Sequence, residues 1–113
     1  MEFMGLFKMN DQDIMTAIQK NGFYIDQVEK TPERCLAAVR QNGLALQLIP
    51  KDIHSVALCL EAVKQNASAI KYVSRKIITN DICLEAVRSD GTVIAYSTYI
   101  PDEFRTKNYI LMQ

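Results

Sequence analysis

The chain has no tryptophan, one histidine, three prolines and four glycines in 113 residues. Each shortage narrows the range of functions. Without tryptophan, a common anchor for ligands and interfaces is missing. Three of the four glycines, Gly22, Gly43 and Gly91, follow Asn or Asp at recurring positions, so no glycine-rich phosphate cradle can be assembled. There is no GxSxG nucleophile elbow and no HExxH pair. Charge of one sign is also lacking. Thirteen basic and thirteen acidic residues cancel, which gives no global positive field, and nucleic acid is not an expected partner. No apolar run approaches the roughly 18–20 residues that span a bilayer, so no membrane segment is expected. The stretch Met1-Glu2-Phe3-Met4-Gly5-Leu6-Phe7-Lys8-Met9 has an acidic second residue, a short apolar core and no small-residue cleavage site, and it is not expected to act as a signal peptide. The three cysteines are then expected to be reduced thiols in a cytoplasmic protein.

Repetition, by contrast, is abundant. Ala17-Ile18-Gln19-Lys20-Asn21-Gly22, Ala38-Val39-Arg40-Gln41-Asn42-Gly43, Ala62-Val63-Lys64-Gln65-Asn66-Ala67 and Ala86-Val87-Arg88-Ser89-Asp90-Gly91 vary one phrase, spaced 21, 24 and 24 residues apart. A fixed period in this range signals stacked units, each too small to bury its own apolar face. Seven residues before each alanine stand Asn10, Thr31, Ser55 and Thr79, all good N-caps. Pro32 follows at a first helical position, and Asp11, Asp13, Glu33 and Asp81 complement the positive end of a helix dipole. The Asn-Gly and Asp-Gly pairs read as helix stops with a left-handed residue, Asn66 serving where Ala67 replaces glycine. Between start and stop lie about ten residues, or roughly three turns.

An apolar stripe runs along each helix: Ile14, Met15 and Ile18; Cys35, Leu36 and Val39; Val56, Cys59, Leu60 and Val63; Cys83, Leu84 and Val87. The recurring alanine is expected to flank it. A second apolar block follows each stop, namely Phe23-Tyr24-Ile25, Leu44 to Ile49, Ala69 to Val73 and Val93 to Tyr96. These blocks read as a second, shorter helix, with a strand as the alternative. Ile53 and Ile77 are expected to plug the longer connectors. Asp102 is expected to cap a last helix running to residue 113.

The residues that invite a chemical reading have bland ones as well. Cys35, Cys59 and Cys83 are evenly spaced but lie inside the apolar stripes, without the paired spacing of a zinc site, so a buried column is expected and no metal or cofactor. His54 is expected to face solvent in a connector. Arg40, Lys64 and Arg88 occupy equivalent positions and would form a basic ladder on one face, next to Glu61 and Glu85. Tyr72 and Tyr96, also 24 apart, suit either an interface or a half-buried core edge. Phe3, Met4, Leu6 and Phe7 either cover the first repeat or form a patch suited to a homodimer.

Cys35-Leu36-Ala37-Ala38-Val39-Arg40-Gln41-Asn42-Gly43-Leu44-Ala45-Leu46 and Cys59-Leu60-Glu61-Ala62-Val63-Lys64-Gln65-Asn66 resemble a family of short tandem helical repeats classed as a domain of unknown function. The resemblance covers about residues 31–97, with a weaker copy at 10–28, and it implies no catalytic residues. The expected fold is all-α: a short α-solenoid of helix-pair repeats at about 10–30, 31–54, 55–78 and 79–101, with a C-terminal cap at 102–113, in one domain. The expected function is a non-catalytic protein–protein interaction module whose face carries Arg40, Lys64, Arg88, Tyr72 and Tyr96. The alternative is a small phage- or pathogen-type inhibitor that occludes a site on a host or competitor protein.

Overall fold

The computed structural model of the chain describes residues 9–90. Four α-helices of ten residues each lie within them: α1 (Asp11–Lys20), α2 (Pro32–Gln41), α3 (Val56–Gln65) and α4 (Asn80–Ser89). Every start follows from local chemistry. Asn10 Oδ1 accepts the Asp13 amide proton at 2.8 Å, Thr31 Oγ1 that of Arg34 at 3.2 Å, Ser55 Oγ that of Leu58 at 3.1 Å and Thr79 Oγ1 that of Ile82 at 3.2 Å. Each cap satisfies an otherwise orphaned amide, an interaction worth about 1 kcal/mol.

The helix stops depart from expectation. No residue, glycine included, has a positive φ among the described residues. Asn21, Asn42, Asn66 and Asp90 are extended, with φ between −159° and −152°. Each donates its amide to the carbonyl of the recurring alanine four residues back, closing the last turn of its helix. The three asparagines also open the next element: Oδ1 accepts the amide two residues on, at 3.0 Å in all three cases. The second apolar block is helical, not a strand, but the helix is 3₁₀: Gly22–Gln27, Gly43–Leu48 and Ala67–Tyr72. Its i→i+3 bonds start at the asparagine carbonyl, as in Ala45 N–H to Asn42 O at 2.9 Å. A three-residue turn aligns side chains three apart. Ile25 with Val28, Leu46 with Ile49 and Ile70 with Val73 accordingly fall on one inward edge.

The glycines are needed because of their neighbours, not their own dihedrals. A Cβ on Gly22 would collide with the Ala38 carbonyl oxygen, and one on Gly43 with that of Ala62. The freed space admits a hydrogen bond across the joint. Gly22 N–H donates to Gln41 Oε1 at 2.7 Å, and Gly43 N–H to Gln65 Oε1 at 2.5 Å.

Helices α1 to α4 pack in chain order, and each 3₁₀ segment packs against its own α-helix and the one that follows. Ala38, Ala62 and Ala86 have no exposed area, whereas Ala17 of the first copy is half-buried. In α3 the buried face comprises Leu58, Cys59, Ala62 and Val63, while Val56 is 42% exposed and belongs to the outer surface. The connectors Lys51–Ile53 and Arg75–Ile77 each form a single 3₁₀ turn. Ile77 packs against the core, whereas Ile53 is 46% exposed and plugs nothing. Phe3 to Phe7, Val93 to Tyr96 and the helix expected after Asp102 lie outside the described residues.

Gly43→Ala is expected to destabilise the chain by about 1–3 kcal/mol through overpacking against the Ala62 carbonyl. Ala67→Gly, at the equivalent position of the next copy, is expected to cost about 1 kcal/mol or less. Urea denaturation midpoints separate the two, and equal stability of Gly43→Ala and the parent chain would refute the close-approach account.

Candidate functional site

Among the side chains able to do chemistry, the thiols are withdrawn. Cys35 is 3% exposed and Cys59 and Cys83 are fully buried, each in the packed face of its helix. None forms a disulfide. Burial raises all three thiol pKa values, to about 12 for Cys59 and about 11 for Cys83. The raised values keep the thiols protonated near neutrality, where a nucleophile or metal ligand requires thiolate. Among the described residues no group of three His, Cys, Asp or Glu converges as a metal site.

His54 is not the solvent-facing residue expected. It is 9% exposed, and its Nε2 lies 2.9 Å from the Ile49 carbonyl oxygen. Because a carbonyl only accepts, the proton belongs on Nε2, which leaves Nδ1 as a buried nitrogen without a hydrogen-bond partner. At the end of the Lys51–Ile53 turn Ile53 is exposed and His54 is buried. A signal for this was present: 24 residues on, His54 aligns with Ile78, which also packs against the core. Burial lowers the His54 pKa from its ordinary value of 6.5, outweighing the favourable bond to Ile49. Lys51 lowers it further and Asp52 opposes that effect.

Arg40, Lys64 and Arg88 are exposed and hold equivalent last-turn positions on α2, α3 and α4, which pack consecutively. Their charges complement the helix dipoles there. Arg40 Nε reaches Glu61 Oε1 on the next helix at 3.4 Å, so a carboxylate partly neutralises the first of the three. Tyr72 is half-buried, with Lys71 Nζ 5.3 Å from its ring centroid and its carbonyl accepting Lys51 Nζ at 3.0 Å. Tyr96 lies outside the described residues.

A basic cleft next to the Lys71–Tyr72 pair is what sequence reasoning missed. Lys51, Lys71, Arg75 and Lys76 line a cleft of about 470 Å³ with Val73 and Ile78 at its apolar side. The signal was local: residues 62–80 hold Lys64, Lys71, Arg75 and Lys76 and no Asp or Glu. A whole-chain net charge of zero conceals this segregation. A second cleft of about 340 Å³, between the first turns of α2 and α3, is apolar and is lined by Pro32, Leu36, Ile53, Ala57 and Leu58. The corresponding joint between α1 and α2 instead carries a charged pair, Arg34 Nη2 to Asp11 Oδ1 at 2.8 Å, which lines a smaller cleft of about 280 Å³.

Residues 57–105 match the model of a family described as "Domain of unknown function (DUF4116)", in keeping with the resemblance read from the repeated phrase. No curated protein and no solved structure matches the chain. No helix among the described residues is long and apolar enough to cross a membrane.

Two expectations follow. Cys59 and Cys83 should resist Ellman's reagent at pH 8 in the native protein and react at once in denaturant. Native reactivity as fast as that of a free thiol would contradict their burial. For His54 the unfolded chain takes up a proton near pH 6.5, whereas the folded chain resists until a lower pH. Stability should therefore fall as pH drops below about 6.5, by at most about 1.4 kcal/mol per pH unit from this residue, and level off below the folded pKa. His54→Gln, which retains a donor for Ile49, should flatten that dependence in urea titrations between pH 5 and 7.

Proposed function

We propose that the chain is a non-catalytic protein-interaction module, built as a short α-solenoid whose binding face repeats from unit to unit. The observation that carries this reading is a division of labour within the repeated phrase. Its reactive side chains, the three cysteines, are buried with raised pKa values, while Arg40, Lys64 and Arg88 are exposed in register. Arrays of this type bind through surfaces assembled from equivalent positions of successive units. A reducing, cytoplasmic setting suits three unpaired thiols.

The test is capture of partners from native lysate by the tagged full chain, identified by mass spectrometry. The comparison is the variant Arg40→Glu, Lys64→Glu, Arg88→Glu, with circular-dichroism melting as the control for folding. A defined protein should be captured by the parent chain and lost by at least about tenfold in the variant, because reversing rim charges acts on recognition. Unaltered capture by a folded variant would reduce the three cations to a solvated face.

A further inference from the structure

We propose that the apolar cleft between the first turns of α2 and α3 binds a small monocarboxylate, a short hydrocarbon chain with one carboxylate at its end. The site stands at the opposite end of these helices from Arg40 and Lys64, so it is distinct from the proposed interaction face and does not depend on it.

Three observations carry it. First, the walls are apolar and reach solvent. Pro32, Leu36, Ile53, Ala57 and Leu58 line about 340 Å³, at the lower end of the range for ligand pockets, and Ile53 is 46% exposed. Cys35 adds to them, since a buried, protonated thiol behaves as a small hydrophobe. Second, the polar members of the lining are donors. Lys30 brings an ammonium group, with Nζ held at 3.4 Å by the neutral Val28 carbonyl. Ser55 Oγ already accepts the Leu58 amide at 3.1 Å, which leaves its hydroxyl proton to donate. The charge of Lys30 is felt inside the cleft: burial pushes the Cys35 thiol pKa up, and Lys30 partly opposes that push. A carboxylate carries one negative charge and accepts from both donors, in charge-assisted hydrogen bonds. Third, the apolar walls belong to this joint. The matching place between α1 and α2 holds the Arg34–Asp11 pair, and the first turn of α4 has Asn80 and Asp81 where that of α3 has Val56 and Ala57. An extended peptide would read equivalent positions of successive units. A cleft limited to one joint fits a short chain instead.

The experiment is isothermal titration calorimetry of the full chain with octanoate, octan-1-ol and the dipeptide acetyl-glycyl-leucine, paired with amide NMR spectra. Octanoate should bind saturably at a single site and shift the amide signals of residues 30–36 and 53–58, which surround the cleft. Octan-1-ol has the chain without the charge and should bind at least about tenfold more weakly, and octanoate should lose a similar factor in Lys30→Gln. Ile53→Ser, at an exposed position, should weaken octanoate at least about threefold through lost apolar contact. Circular-dichroism melting checks that both variants fold, and the comparison of octanoate with octan-1-ol needs neither variant. Equal binding of octan-1-ol, octanoate affinity unchanged in a folded Lys30→Gln or Ile53→Ser, tighter binding of the dipeptide, or no saturable binding would each overturn the proposal. So would a dimer in sedimentation equilibrium that Ile53→Ser disperses, because a second copy of the chain would then fill the cleft.

Discussion

The structure depends on what happens at one residue, the asparagine that ends each of the first three α-helices. Its amide closes the last turn of the α-helix and its side chain opens the 3₁₀ segment, so a single extended residue joins the two without a loop. The direction in which the chain leaves that residue decides where the following amide points. At Gly22 and Gly43 it points at a glutamine of the next helix, so local capping and packing between neighbours are satisfied by adjacent atoms. A buried amide left unpaired at such a joint would cost about 1–3 kcal/mol, and the glutamine that ends the next helix, Gln41 for Gly22 and Gln65 for Gly43, removes that cost.

How legible this was depended on the range of the interaction involved. The N-caps and the ten-residue helices could be read because a cap is a conversation between residues three apart. The role of glycine was misread because the atom that excludes a Cβ belongs to a residue 16 or 19 positions away: Ala38 for Gly22, Ala62 for Gly43. The 3₁₀ character was missed for a related reason. Apolar pairs such as Leu46 and Ile49 fit three residues per turn as well as an α-helix, and the asparagine geometry settles which forms. His54 was misplaced because its short connector was read by itself, although the repeat sets it in register with Ile78, which packs against the core.

The candidate sites show the same contrast. Burial of the cysteines was legible from their place in the stripes, and the exposure of Arg40, Lys64 and Arg88 from the opposite phase. The basic cleft draws residues from two connectors and the end of a 3₁₀ segment, none of which has a regular amphipathic pattern, so its charge was averaged away in the composition.

The third joint departs from the other two. Ala67 stands where glycine would, and Ser89 where glutamine would. Ala67 carries the methyl group for which Gly22 and Gly43 have no room, and serine is too short to make the reach that glutamine makes at the earlier joints. Among the described residues the glutamine-to-amide bond that locks the first two joints has no counterpart here, and the third joint relies on the packing of α3 and its 3₁₀ segment against α4.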